Sequence, residues 1–424
     1  QLTTLPLVAY YYYEVPVYAL LLNLLIVSLL SVVLINGITA TLLMCMGKIV
    51  VGRLFAGPVI MMLELLLDGI YVGVSWCSRL PGATKIVGQW PIQRIIFYYL
   101  MLAATCLLIK NRTKKSGNRD GNRNTNTNTN ILLRKFPIVL IGSVVLLLVL
   151  RPVKSNHLMA VLDVGQGDGI CIRMPGGKNC LIDGGSSDVS SVGAYRIEPY
   201  LLYCGIRNID YAFVSHGDED HISGIRELLQ DQKLGIGIRT LVLPAEKYWD
   251  EKLKELAVLA AENGTRIAEI HAGEQVVDGT GEQKMSLRCI GPEMVLSESG
   301  NAASMVLQAE YGNFSMLLTG DVEGAGEKQL VKSGRLGKCR ILKAAHHGSK
   351  NSGTEEFLDA VEPQIVLISA GRGNRYGHPH EETLERLKSR NCQVYSTQQC
   401  GAVTIQSDGK KLFFSRKCGG GGSD

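Results

Sequence analysis

The chain has 424 residues, more than one ordinary domain holds. Its formal net charge of +5 is concentrated in one place. Residues 110 to 135 carry Lys110, Arg112, Lys114, Lys115, Arg119, Arg123, Arg134 and Lys135 against Asp120 alone, which leaves the remainder slightly acidic and excludes a generally basic nucleic-acid-binding domain.

Residues 1–109 are nearly free of charge and rich in Leu, Val, Ile and Tyr. Stretches 17–35, 54–78 and 91–109 are close to the roughly 20 apolar residues that cross a bilayer, so the segment reads as transmembrane helices. The shorter run 37–47 reads as half of a broken or re-entrant helix. Glu64 and Asp68 stand one helical turn apart in the second stretch, either lining a polar cavity or facing headgroups at the interface. The opening lacks the basic n-region and cleavage site of a signal peptide, and the chain reads as part of a longer membrane protein.

Residues 110–130 are polar and end in Asn-Thr repeats, which cannot bury a core, so a disordered loop is expected there. Its Lys/Arg excess places it in the cytoplasm. A last transmembrane helix is expected at 131–153, and one more crossing puts everything beyond it outside the cytoplasm. From His157 the pattern changes to short apolar runs separated by turns. Strands are expected at 158–164, 169–173, 180–182, 209–214, 240–243, 341–344, 365–369 and 394–396. A hairpin is expected from 305–311 and 314–318 across Gly312-Asn313. Helices are expected at 222–230, 249–262 and 381–388. Mixed strands and helices without a long parallel repeat predict two sheets flanked by helices over 157–417. Residues 418–424 are a flexible Gly-rich tail. There are eleven cysteines and no C-x-x-C pair, so no zinc knuckle or redox motif is indicated. Cys171 and Cys180 flank Pro175-Gly176-Gly177 and could face each other as a disulfide or remain free thiols.

The chemistry gathers in three histidine motifs and one aspartate. His216-x-Asp218-x-Asp220-His221 follows a strand and precedes a helix, so four oxygen and nitrogen donors can fold back onto one point, in a pattern suited to zinc or manganese. A solvated loop has no use for such a set. Gly320-Asp321 ends a hairpin strand. Alone, Asp321 would more often start a turn; beside the first motif it reads as a carboxylate placed between two metals. Of His346-His347, one binds metal while the other donates a hydrogen bond or proton. His378 and His380 precede a helix and are candidates for proton delivery or phosphate contact, with helix capping as the plainer role.

These residues carry a resemblance. Val161-Leu162-Asp163-Val164-Gly165-Gln166-Gly167-Asp168, Leu181-Ile182-Asp183-Gly184-Gly185, Ser215–Gly224, Leu317–Asp321, His346–Ser352 and Asn374–His380 occur in one order over about 157–415. Together they resemble the metallo-β-lactamase-like domain of ComEC, the membrane channel of natural competence. Asn23-Leu24 and Leu80-Pro81-Gly82 resemble the last helices of its competence domain. β-Lactam-hydrolysing members carry His where this chain has Asp218, as ComEC-type domains usually do, and their third-motif His is replaced by the region of Asn301 and Ser304. The family's N-terminal OB-fold domain and most channel helices have no counterpart here, which puts transport by this chain alone in doubt.

The expected fold is a membrane α-helical segment joined to an αβ/βα metallo-β-lactamase-like sandwich. The resemblance implies a multi-pass protein of the cell membrane, with the sandwich extracytoplasmic, that hydrolyses the DNA strand not taken up. Two divalent ions, Zn or Mn, are expected on His216, Asp218, Asp220, His221, Asp321 and His346. Asp220, His378 and His380 are assigned to catalysis. His347, Ser349, Asn301, Ser304, Arg375 and Tyr376 are assigned to substrate. Expected partners are single-stranded and duplex DNA, the membrane, the rest of the competence channel, and DNA receptor and translocase proteins. The alternatives are a non-catalytic DNA guide and a membrane-tethered hydrolase of small esters.

Overall fold

The computed structural model describes residues 3–45, 50–117, 142, 158–231, 235–293 and 300–416. They fall into two compact units, one of residues 1–154 with 202–205, the other of 155–201 with 206–424.

In the first unit, α1 (Leu5–Tyr12), α2 (Ala19–Cys45), α3 (Val50–Ser78) and α4 (Ile92–Gly117) are joined by β1 (Glu14–Pro16) paired antiparallel with β2 (Thr84–Ile86). α2 runs unbroken through Gly37, where the apolar pattern predicts a break. Its polar side chains stay within the helix: Asn36 donates to the Val32 carbonyl at 2.8 Å, Thr39 to Ile35 at 2.7 Å and Thr41 to Gly37 at 2.8 Å. In an apolar medium such self-satisfaction favours continuing the helix over exposing backbone. Leu22–Cys45 and Phe55–Ser78 are each long and apolar enough to cross a membrane; Ile92–Leu107 is apolar but shorter. Glu64 and Asp68 fall inside the second span rather than at its end, and both are exposed. α4 continues to Gly117, past the boundary expected at 109, because Lys110 to Lys115 are helix-tolerant residues and Gly is a natural stop. The remainder of the basic loop, nearly all of 131–153 and the tail 418–424 lie outside the described residues. A small core of Ala9, Val15, Val87, Trp90 and Tyr98 packs with Leu5, Ile95, Tyr99 and Leu102.

The second unit is the sandwich. One sheet holds β3 (Met159–Val161), β4 (Gly169–Arg173), β5 (Asn179–Gly184), β6 (Tyr211–Phe213), β7 (Thr240–Pro244) and β8 (Arg266–Ile270). The other holds β9 (Gln275–Asp278), β10 (Met285–Gly291), β11 (Val306–Tyr311), β12 (Phe314–Leu318), β13 (Ile341–Lys343), β14 (Ile365–Ile368) and β15 (Gln393–Ser396), side by side in that order. The chain then returns to the first sheet, where β16 (Val403–Ser407) pairs with β3 and with the edge strand β17 (Leu412–Arg416). The expected hairpin is β11–β12, with Tyr311 opposite Phe314. β8, β9, β10, β16 and β17 were not anticipated, their short alternations being masked by polar neighbours.

Alternation along the strands sorts side chains into two cores. Phe314, Met316 and Leu318 of β12 and Ile365 and Leu367 of β14 enter the core between the sheets. Leu317, Val366 and Ile368 point outward and pack with Leu330, Phe357, Leu358 and Leu387. Those four come from α7 (Ala325–Lys332), α8 (Glu355–Val361) and α9 (Glu381–Ser389). Burial on both faces is why these strands read as continuous apolar runs. On the first sheet, α5 (Glu219–Gln230) packs on β5, and α6 (Glu251–Glu262) on β7 and β8. The β4–β5 register sets Cys171 opposite Leu181 and Ile172 opposite Cys180. The two cysteines thus point to opposite faces and both are free thiols, which settles against the possible disulfide.

β5, β6 and β7 are parallel neighbours, as are β12, β13, β14 and β15. Their carboxyl ends carry every histidine motif, and ligands of open α/β sheets sit at such ends.

Phe314 is fully buried between the sheets. Phe314→Ala is expected to destabilise the 155–416 unit by about 3–5 kcal/mol, read from its urea unfolding midpoint. A loss below about 1 kcal/mol would contradict the packing described, given the usual cost of emptying a core site.

Candidate metal centre

The centre is built from strand ends. After β6, the Ser215 backbone N–H and hydroxyl both donate to the Asp183 carboxylate, at 2.7 and 2.8 Å. This anchors the loop that presents His216. α5 starts at Glu219, so Asp220 and His221 lie in its first turn rather than in the expected loop. Gly185, after β5, lets the strand run directly beneath that turn, because a Cβ there would sit 2.4 Å from the His221 backbone nitrogen. Asp183 Oδ2 lies 3.0 Å from His221 Nδ1. An ionised carboxylate only accepts, so Nδ1 carries the proton and the Nε2 lone pair is left for a ligand.

From the second sheet, Gly320 at φ 50° turns the chain after β12, in close approach to Ser215. Asp321 follows, its N–H donating to Ser304 Oγ at 3.3 Å. Asp321 Oδ1 stands 3.2 Å from His221 Nε2, and Oδ2 stands 3.5 Å from His347 Nε2. After β13, His346 and His347 adopt left-handed φ of 46° and 54°, a costly backbone for residues with a Cβ and one concentrated at functional sites. His347 Nδ1 donates to the Ser369 carbonyl at 2.9 Å, which again frees Nε2, 3.5 Å from Asp220 Oδ2.

Among the described residues, the buried Nε2 atoms of His216, His221 and His347 and Oδ1 of Asp321 and Asp168 have no hydrogen-bond partner, the His221–Asp321 contact being an ion pair only. Orphaned buried donors and acceptors are rare and call for an explanation. His216, His221 and Asp321 form one group with ligand atoms mutually within 4.8 Å, and Asp220, His221 and His347 form another. Imidazole nitrogen and carboxylate oxygen converging in this way fit divalent cations. The charges agree. Burial would raise the Asp321 carboxyl, but the His221 and His347 imidazoles outweigh it and hold it well below the usual range. Burial likewise opposes the charge of Asp220, and the same imidazoles still keep that carboxyl low. Burial would lower His347, yet Asp321 and Asp168 push it up to about 10. A cation bound there would replace those protons.

The structure places the assigned residues unequally around the centre. His347 joins the donor groups, whereas His346 and Asp218 are not among them. His346 Nδ1 instead pairs with Glu323 at 2.9 Å, and its Nε2 is 3.7 Å from Asp321. Adjacent residues in a left-handed turn project differently, so His347 lies buried among the donors and His346 at their edge, part-exposed. Asp218 is half exposed at the rim, 3.5 Å from His216 Nε2 and 3.6 Å from Lys252, and the His216 contact lowers its carboxyl to about 2. Ser304 Oγ lies 3.4 Å from His216 Nδ1 and Asn301 Nδ2 3.5 Å from His346 Nδ1, so both support histidines. Ser349 is buried, its carbonyl accepting from Thr383 at 2.9 Å and its hydroxyl from the Asn351 N–H at 3.3 Å. Both contacts hold the loop. His378 flanks His346 and His347, ring centroids 5.3 and 6.1 Å away. Burial and then the neighbouring imidazoles lower His378 to about 4. His380 lies behind it, Nδ1 accepting the Lys350 N–H at 3.2 Å. Tyr376 stacks on His378 at 5.7 Å, with the Arg375 guanidinium over its outer face at 4.9 Å.

Sequence reasoning passed over Asp183, Asp168 and Lys343. Both aspartates stood in motifs taken as family marks and given no chemistry. Lys343 is fully buried, donating to Asp168 Oδ2 at 2.5 Å and to the Ala344 carbonyl at 3.0 Å. A lysine within an apolar strand gives no sign of this partner.

His347→Ala is expected to weaken binding of Zn²⁺ or Mn²⁺ by more than about 100-fold, whereas His346→Ala, outside the donor groups, stays within the about 10–100-fold range of supporting residues or below it. Isothermal titration of both variants checks this. His346→Ala abolishing binding while His347→Ala retains it would reverse the assignment.

Residues 162–372 match the family model of the metallo-beta-lactamase superfamily, and residues 1–112 match that of the competence protein family. The chain is 28% identical over 98% of its length to ComE operon protein 3 of Bacillus subtilis, covering 52% of that protein. It is 29% identical over 81% of its length to Recombination protein 2 of Haemophilus influenzae, covering 38% of that protein. It thus spans about half or less of the length of these relatives. Among solved structures, the metallo-beta-lactamase fold protein YhfI of Bacillus subtilis is similar with TM-score 0.39 and 13% identity, over 58% of this chain and 98% of that one. The apolar helices and the competence match make this a membrane protein whose second unit has the metallo-β-lactamase fold and its divalent-metal donor set. With a competence segment and a metallo-β-lactamase domain in order along one chain, it belongs to the ComEC family of competence proteins.

Proposed function

We propose that the chain serves DNA uptake, and that its metallo-β-lactamase domain hydrolyses phosphodiester bonds of the strand not taken up, at the outer face of the cell membrane. The observation that carries the chemistry is the set of buried, orphaned donors His216, His221, Asp321 and His347. The competence match supports DNA as the substrate and the remaining channel, receptor and translocase proteins as partners. A non-catalytic DNA guide would have no need of that donor set, and no residue at the rim favours a small ester.

His216, Asp220, His221, Asp321 and His347 would hold two divalent ions. Zn²⁺ or Mn²⁺ suits this mixture of nitrogen and oxygen. Such ions supply a nucleophile at neutral pH and offset charge on the phosphate oxygens. The chain's own residues do the positioning. Arg375, held by its Nη2 bond to Tyr376 Oη at 2.7 Å, offers a fixed cation to a flanking phosphate. Tyr376 and His378 form a flat wall along which a sugar or base can lie. His380 supports that wall and is not routed into the reaction.

Asp220→Ala is expected to abolish DNA cleavage by the metal-loaded protein while leaving the far-ultraviolet circular dichroism unchanged. A ligand carboxylate supplies charge no neighbour replaces, and the sandwich core does not include it. Turnover at the wild-type rate in the folded variant would remove Asp220 from the site.

The orientation follows from the basic loop, since short loops rich in Lys and Arg stay inside. A reporter inserted near Asn122 is expected to behave as cytoplasmic, and one after Lys154 as extracytoplasmic. The reverse pattern would refute action at the outer face.

A further inference from the structure

Gln166 lies in the loop between β3 and β4 and is 1% exposed. Its backbone is pinned from both sides: its N–H donates to Asp188 Oδ1 at 2.7 Å, and its carbonyl accepts the Ser187 N–H at 2.8 Å. The side chain is held between two groups whose chemistry differs. The Gly371 backbone N–H lies 3.2 Å from Oε1. A backbone N–H can only donate, so this contact fixes which end of the amide is oxygen. Nε2 is then the end that faces His378 Nδ1, at 3.4 Å. An amide N–H donating there requires a lone pair on Nδ1. The ring proton of a neutral His378 must therefore sit on Nε2. An imidazolium would turn Nδ1–H against the amide N–H, so the same contact disfavours the charged ring.

The root of the ring is equally fixed. The His378 carbonyl accepts from Asn374 Nδ2 at 2.6 Å and from Gln398 Nε2 at 2.8 Å, and its N–H donates to Asn374 Oδ1 at 3.0 Å. Tyr376 covers one side of the ring, and His346 and His380 stand edge-on to it. Nε2 has no hydrogen-bond partner among the described residues.

We infer that Gln166 is a positioning residue that holds His378 as a neutral imidazole with its proton on Nε2, so that His378 meets a substrate phosphate as a hydrogen-bond donor and not as a general base. The substrate half of this statement rests on the phosphodiesterase reading above; the protonation half rests on Gln166, Gly371 and His378 alone. A neutral donor preset toward an oxygen that gains charge needs no proton transfer to act. It also removes His378 from the residues that could activate the nucleophile, leaving that task to the metal donors.

The test uses the full chain in detergent, labelled with ¹⁵N-histidine and loaded with Zn²⁺, which is diamagnetic. His378→Asn identifies the His378 ring signals. The expected spectrum at neutral pH has a protonated Nε2 and an unprotonated Nδ1. Gln166→Glu replaces the amide donor by an acceptor and is expected to move the proton to Nδ1. With bis(p-nitrophenyl) phosphate, Gln166→Met is expected to lower kcat about tenfold with KM little changed, the scale of a lost supporting hydrogen bond. A wild-type ring protonated on Nδ1, or an unchanged ring in a folded Gln166→Glu variant, would overturn the inference. If Gln166→Glu does not fold, the wild-type ring signals decide alone. A protein that binds metal and shows the Nε2–H ring, yet cleaves no phosphodiester, would overturn the proposed function and leave the Gln166 assignment standing.

Discussion

The carboxylate of Asp321 ties the two sheets together by charge. It leaves the second sheet after β12 and lies between His221, carried by the first sheet, and His347, carried by the second. Asp220, also from the first sheet, faces the same His347. Buried carboxylates and imidazoles so close are tolerable only with compensating positive charge, because an unpaired buried polar group costs a few kcal/mol. The same carboxylates raise the pKa of His221 and His347, so protons on these rings can supply it. Divalent cations would supply it better, without the orphaned Nε2 atoms.

The surroundings explain how such a centre is held. Each inner histidine has its Nδ1 occupied: His221 by Asp183 and His347 by the Ser369 carbonyl. These bonds fix ring and tautomer before any ligand arrives, a common feature of metal histidines. The left-handed turn at His346 and His347 is the local cost of aiming one of two adjacent rings inward. Beneath it, Lys343 neutralises Asp168 in full burial. Removing either partner would strand a charge in the core, which is why a buried pair is costly to break even where it adds little net stability.

The membrane unit and the sandwich follow different physical rules. α2 and α3 expose Leu, Ile, Val and Met along most of their length, as helices in lipid can. The sandwich hides the same residue types between sheets and under helices. The chain therefore joins a part specified by its solvent to a part specified by its core. Among the described residues the histidine and carboxylate donor groups lie wholly within the second.

Much of this was legible in the sequence because it depends on local pattern. Apolar stretches of the right length gave α2 and α3. The run His216 to His221 gathers four donors within six residues, so the fold keeps them near one another, although Asp218 is left at the rim. Gly312-Asn313 between alternating apolar residues gave the β11–β12 hairpin. What tertiary structure decided were questions of direction and of distant partners. Whether Cys171 and Cys180 pair was open until the strand register set them on opposite faces. His346 and His347 are equivalent as letters, and only the backbone turn sets His347 among the donor groups. Asp183, Lys343 and Gln166 act through Ser215 and His221, through Asp168, and through His378, up to about two hundred residues away in the chain. A hydrogen bond across such a separation leaves no periodicity to read, because it exists only once the sheets have packed and brought their strand ends together.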